Sequence, residues 1–144
     1  MTTTTLSLQL TNSLELPNAL AWLDGHFAEA GADETVSAEL KVVLDEQVAN
    51  VLDHGNADNQ RVKLSVELEI EPGHVVLRFI DNGEPFDPLS SPLETGFGPF
   101  EERPVGGPGL LLMRELTDEQ HYRRADQHNV LELTRYFNPR PRKG

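Results

Sequence analysis

Three groups of residues in this 144-residue chain have types and spacings that could do chemistry. Glu46 and Asn50 stand four positions apart, the separation that puts two side chains on one face of a helix. Asn offers a neutral oxygen suited to a hard cation such as Mg²⁺, and Glu can orient or deprotonate a hydroxyl nucleophile. Asp81 opens the run Asp81-Asn82-Gly83-Glu84-Pro85-Phe86-Asp87-Pro88, directly after an apolar stretch. A carboxylate at a strand end can accept a hydrogen bond from an exocyclic amine such as that of adenine, and Gly83 lets the backbone approach a flat ring. Gly106-Gly107-Pro108-Gly109 sits just before an apolar run beginning at Leu110. A helix start there offers free N–H groups and positive potential to a phosphate. Taken singly, each group has an ordinary explanation: a solvated helix shoulder, an Asp-Asn-Gly turn, a hinge.

The elements that must position these groups are legible from periodicity. Leu6, Leu8 and Leu10 alternate with polar neighbours as a half-buried strand does. Pro17 suits the first turn of a helix over about residues 17–31, with Leu20, Leu23 and Phe27 on one face. Asp33 is a candidate cap for a longer helix over about residues 34–53, striped by Val36, Leu40, Val43, Leu44, Val48, Val51 and Leu52. At about 100° per residue that stripe centres near Leu44 and Val51. Asn50 then lies at its edge and Glu46 one step further round. Gly55 is expected to stop the helix. Val62, Leu64, Val66, Leu68 and Ile70 alternate as a strand covered on one face, and a Pro72-Gly73 turn leads into a more buried partner over residues 75–80. A Pro/Gly/Ser-rich loop over residues 84–108 precedes a helix from Leu110 to Thr117. Two strands, about 121–124 and 130–137, close the order. This sequence of elements predicts an α+β fold, a two-layer α/β sandwich with a mixed, mainly antiparallel sheet and helices on one face.

Composition bounds the alternatives. Apolar residues make up 38% and charged residues 25%, an ordinary globular balance, and the length suits one domain over 1–144. The ordered core is expected over about 6–137, followed by a basic tail at 138–144. A net charge of −12 repels phosphate backbones and argues against direct nucleic-acid binding. No run of 18 apolar residues offers a membrane span. Met1 and the four threonines after it lack the pattern of a signal peptide, and zero cysteines leave no disulfide framework. A cytoplasmic protein is the simplest expectation.

Together the three groups carry more than they do apart. E-x-x-x-N on a helix, D-x-G after a strand and G-G-x-G before a helix, in that order, resemble the GHKL (Bergerat-fold) ATPases. Within them the chain most resembles bacterial anti-sigma factor serine/threonine kinases of partner-switching systems. The resemblance runs from Leu6 to Phe137. It includes the run from Asp45 to Gly55 with its closing His54-Gly55, then Asp81-x-Gly83-x-x-Phe86-Asp87-Pro88, then Gly106-Gly107-Pro108-Gly109-Leu110-Leu111-Leu112-Met113, and the late strand Leu131-Glu132-Leu133-Thr134.

What the resemblance implies is specific. Glu46 would be the general base and Asn50 the Mg²⁺ ligand. Asp81 would read the adenine amino group, with Thr134 assisting through water. Gly83 would admit the ring, and Gly107, Gly109 and Leu110 would cradle phosphates. The activity implied is transfer of the ATP γ-phosphoryl group to a serine or threonine of a STAS-type anti-anti-sigma protein. Sequestration of a sigma factor or similar regulator, by a homodimer, goes with it. His26, His54, His74, His121 and His128 lie in no phosphoacceptor helix of the histidine kinase kind. Pro108 lacks an N–H, Leu111 stands where the family usually has glycine, and Glu94, Glu101 and Glu102 face Arg103 alone in the long loop. These departures motivate an alternative: a non-catalytic partner-switching module with weak or lost ATP turnover.

Overall fold

Apolar residues at alternate positions make the strands and those at helical spacing make the helices. The order is β1 (Thr4–Leu10), α1 (Leu16–Ala30), α2 (Glu34–Ala57), β2 (Leu64–Glu71), β3 (His74–Asp81), α3 (Gly107–Leu116), β4 (Glu119–Ala125) and β5 (His128–Tyr136). The computed structural model describes residues 4–11, 15–31, 33–57, 62–71, 73–89 and 107–137. The acidic stretch with Glu94, Glu101, Glu102 and Arg103, together with Gly106 and the basic tail, lies outside the described residues.

The strands form one sheet in the order β1-β2-β3-β5-β4, and every neighbouring pair is antiparallel. The sheet is therefore wholly antiparallel, where the element order predicted a mixed, mainly antiparallel one. A single crossover helix makes its strands parallel, whereas the α1–α2 pair brings the chain back so that β2 runs against β1. Register sets Leu10, Leu64, Asp81, Asn129 and Arg124 in one cross-strand row, and Leu8, Val66, Phe79, Leu131 and Tyr122 in the next. This face is the core face. Leu64, Val66, Leu68, Leu77, Phe79 and Leu133 are buried with Leu23 and Phe27 of α1, Leu40, Leu44 and Leu52 of α2, and Met113 of α3. Each such side chain contributes about 1.5–3 kcal/mol through removal from water. The other face carries Glu67, Glu69, Arg78 and Glu132, which form an ion-paired cluster.

Local signals explain the helices. α1 starts with Pro17 in its first turn and ends where Gly31 takes φ 74°, its N–H bonded to the Ala28 carbonyl at 3.2 Å. At the start of α2, the Asp33 Oδ1 accepts the Val36 N–H at 2.7 Å. Two boundaries depart from expectation. α2 continues through Gly55 to Ala57, because an interior glycine costs a helix about 1 kcal/mol rather than ending it. α3 starts at Gly107 and not at Leu110, so the glycines and Pro108 belong to its first turn, where proline's missing N–H would have had no intrahelical partner. Among the described residues, no helix is long and apolar enough to cross a membrane.

Candidate functional site

β3 ends at Asp81, β5 begins beside it, and the C-terminal half of α2 passes over that end of the sheet. The cavity between them has Asp81 and Asn129 at its base, and Gln47 and Asn50 on the helix side. Val51, Val62, Phe86 and Leu131 supply apolar walls. A mostly apolar slot with a few polar groups in its lining has the composition of a small-molecule site.

Asp81 is 7% exposed, and its burial is compensated by hydrogen bonds. Its Oδ1 accepts the Gly83 N–H at 2.9 Å and the Asn129 Nδ2 at 3.0 Å. No described residue donates to Oδ2, which leaves that oxygen as an acceptor for a ligand. Gly83 fits closely here through its lack of a side chain. A Cβ at this position would lie 3.0 Å from Asp81 Oδ1 and 3.7 Å from Val62 Cγ2, pressing on the carboxylate that its own N–H holds.

The segment after Asp81 is clasped from three sides. Asn82 Oδ1 accepts the Lys63 N–H at 2.7 Å, closing the β2–β3 ladder. Arg124 of β4 donates to the Gly83 carbonyl at 2.8 Å. Arg114 of α3 donates to the Pro88 carbonyl at 3.3 Å and to that of Leu89. The turn therefore has defined geometry before any ligand enters.

The expected site residues divide into three sets. Asn50, Asp81 and Gly83 meet at the cavity. Glu46 sits one helical turn before Asn50, half-buried on the same side of α2 but not among the cavity's lining residues. Gly107, Gly109 and Leu110 lie in the first turn of α3, which packs against α2. With proline's N–H absent, their three backbone N–H groups are what that helix start can present.

Thr134 is the correction. β5 pairs with β3 so that Asn129, not Thr134, stands opposite Asp81. Thr134 is five positions further on, about 17 Å along the strand at 3.4 Å per residue. An odd offset also turns its side chain to the other face of the sheet, beside Val76 and Glu119. Thr134 does not reach Asp81.

Sequence reasoning missed Asn129, Tyr122 and Gln47. For Asn129 and Tyr122 the signal is cross-strand register, which needs the β4–β5 turn to be placed correctly. Gln47 lies on α2 three residues before Asn50, so helical spacing could have found it. Among the described residues, two groups with a displaced protonation, Arg78 and Tyr136, lie on the outer sheet face. Burial opposes the Arg78 charge, but hydrogen bonds to Glu67 and Glu132 outweigh it and hold the guanidinium above its ordinary range. The hydrogen bond to Glu119 raises the Tyr136 phenol.

Comparison with known proteins agrees with this geometry. Residues 10–135 match the histidine kinase-like ATPase domain family. The serine/threonine-protein kinase BtrW of Bordetella bronchiseptica is 32% identical, over 95% of this chain and 96% of its own. The serine-protein kinase RsbW of Listeria innocua is 27% identical, over 81% of this chain and 76% of its own. The RsbW of Oceanobacillus iheyensis is 32% identical over 56% of this chain and 54% of its own. In solved structures, the catalytic domain of the histidine kinase ThkA superposes with a TM-score of 0.55 at 15% identity. That alignment covers 97% of this chain and all of ThkA's, and it shows the same fold. The cavity at the end of β3 thus occurs in a known frame, and the chain belongs to the histidine kinase-like ATPase domain family, of GHKL type.

Proposed function

We propose that this protein is an anti-sigma-factor-type regulatory serine/threonine kinase that binds MgATP in the cavity between α2 and the end of β3. The observation that carries the reading is Asp81. One of its oxygens accepts two donors and the other accepts from no described residue, at the end of an apolar slot. An adenine amino group offers the donor that this oxygen lacks, and Gly83 leaves room for the ring. Kinase-named relatives over most of the chain support the same activity.

The remaining roles follow from chemistry and position. Asn50 would contribute one neutral oxygen to Mg²⁺, and the first turn of α3 would hold phosphate through the N–H groups of Gly107, Gly109 and Leu110. Among the described residues no cluster of three His, Cys, Asp or Glu side chains could hold a metal alone. That fits Mg²⁺, which keeps several waters and relies on substrate phosphates rather than on a protein cage. When bound, the ion neutralises charge that develops on the phosphate oxygens. In transfer, the serine or threonine oxygen of a STAS-type partner bonds to the γ-phosphorus as its bond to the bridging ADP oxygen breaks. Glu46 takes the hydroxyl proton. A homodimer that sequesters a sigma factor or similar regulator, acting in the cytoplasm, completes the reading. Two experiments bear on it. Calorimetric titration with MgATP is expected to give binding, and its absence would remove the reading altogether. Glu46→Ala is expected to abolish phosphate transfer to the cognate partner while keeping most nucleotide affinity; retained transfer sinks the base assignment.

Pro108 favours one alternative, a partner-switching module that binds nucleotide without turning it over, because one donor of the α3 first turn is missing. MgATP binding without phosphate transfer to any STAS-type protein would select it.

A further inference from the structure

Asn129 is 6% exposed and uses every hydrogen-bonding position of its amide. Its Nδ2 donates to Asp81 Oδ1 at 3.0 Å and to the Glu84 carbonyl at 2.8 Å. Its Oδ1 accepts the Phe86 N–H at 3.2 Å and the Tyr122 hydroxyl at 2.5 Å. The amide can sit only one way round. Turning it over would set its N–H groups against the Phe86 N–H, and its oxygen against a carboxylate and a carbonyl. None of its polar capacity remains for a ligand, yet it borders the cavity beside the one carboxylate that a ligand would meet.

We infer that Asn129 is a positioning residue that fixes which oxygen of Asp81 faces the cavity, and thereby sets discrimination between 6-amino and 6-oxo purines. This rests on the nucleotide-binding reading above and names a determinant within it. A carboxylate can turn about its side-chain bonds, and the Gly83 N–H alone gives it one anchor. The second anchor, from Asn129, stops that rotation, so Oδ2 stays directed at the slot as an acceptor without a hydrogen. An amino group at purine position 6 donates to it. A carbonyl there brings acceptor against acceptor and leaves both unpaired. Tyr122 acts one step back, holding the Asn129 oxygen so that the amide nitrogen faces Asp81. Because Asn129 also bonds the Glu84 carbonyl and the Phe86 N–H, the same residue holds the wall of the slot at a fixed distance from its base.

The test is calorimetric titration of the full chain with ADP and with inosine diphosphate, each with Mg²⁺, for wild type, Asn129→Ala and Tyr122→Phe. Thermal midpoints without nucleotide serve as the fold control. Wild type is expected to prefer ADP by about 100-fold, the scale on which a mispaired buried polar group is rejected. Asn129→Ala is expected to weaken ADP by roughly ten-fold while inosine diphosphate changes by less than about two-fold, narrowing the preference. Tyr122→Phe, which removes one hydroxyl and leaves Asp81 untouched, is expected to narrow it by about three-fold. A merely structural residue would weaken both nucleotides together. An unchanged ratio in Tyr122→Phe, or in a folded Asn129→Ala, overturns the inference. A wild type that binds ADP and inosine diphosphate equally also overturns it, while nucleotide binding stands. A wild type that binds neither removes the reading beneath it as well.

Discussion

β3 and β5 face each other through two pairs of polar residues built on opposite logic. Arg78 opposes Glu132 on the outer face, and three residues further along β3 Asp81 opposes Asn129 on the core face. Arg78 is a hub. It reaches Glu67 at 2.9 Å, Glu69 at 3.5 Å and Glu132 at 2.9 Å, with all four side chains between 18% and 36% exposed. Any one carboxylate can be lost and the guanidinium keeps two others. The inner pair has no such redundancy, since both N–H groups of Asn129 are donated and its one amide oxygen already accepts two donors. The outer network is a surface device whose members share a job. The inner one fixes a single geometry, and a cavity opens on it.

Breaking the inner pair should have the largest effect. In Asp81→Asn the new amide oxygen can still accept from Gly83 and Asn129, so the fold persists, but its nitrogen now faces the slot as a donor. Loss of a hydrogen bond to a charged acceptor predicts adenine-nucleotide binding weaker by about 1.5–3 kcal/mol, or roughly 10- to 150-fold. Inosine diphosphate should gain relative to ADP. Calorimetry on both nucleotides measures it, and an unchanged ADP affinity would show that Asp81 does not face the base. Gly83→Ala should come next. Its methyl group would press on Asp81 Oδ1 from 3.0 Å. A loss of about 1 kcal/mol in nucleotide binding is expected, with a smaller change in thermal midpoint.

The outer network should respond to which member is removed. Arg78→Gln leaves three carboxylates close together without their cation, and should destabilise the protein by about 1–2 kcal/mol in urea titrations. Glu67→Gln should change stability by no more than about 0.5 kcal/mol, because the hub keeps Glu69 and Glu132. Neither should move nucleotide affinity, and a parallel loss of binding in Arg78→Gln would break the contrast between the two faces. Added salt should shrink the Arg78→Gln effect, since these side chains are partly open to solvent.

Much of this was legible in the sequence wherever the cause was local. The stripe of α2, the Asp33 cap, Pro17 and Gly31 at the ends of α1, and the alternation of β2 each need only a few neighbouring residues to be read. Asn50, Asp81 and Gly83, which line one cavity, could be singled out because each sits at a defined point of such an element. Asn129 was not, because its meaning lies in a partner 48 residues away. Thr134 was misplaced for the same reason. Choosing between two polar residues on one strand requires its register against β3, and an odd offset sends the side chain to the wrong face. The end of α2 and the start of α3 were misread by setting glycine outside the helix, although both helices contain glycines.

The turn that hid this register offers the most separable test. Ala125 pairs with His128, so only Asp126 and Gln127 join β4 to β5, with φ of 50° and 64°. Two-residue hairpins of type I′ want positive φ at both central positions, which normally announces itself as Asn-Gly or Asp-Gly. Here Gln127 occupies the second position, so no glycine marks the hairpin in the sequence. A non-glycine residue in that conformation costs about 1–2 kcal/mol, partly offset by the greater chain entropy that glycine loses on folding. Gln127→Gly should therefore stabilise the protein by roughly 0.5–1 kcal/mol, read as a higher thermal midpoint. The turn feeds both networks, since it is followed at once by Asn129 and then by Glu132. If the inner geometry is set by the hydrogen bonds of Asn129, relief of strain two residues away should leave the preference for ADP over inosine diphosphate unchanged. A preference that moves with the turn would mean that the hairpin itself, and not the Asn129 amide, holds Asp81 in place.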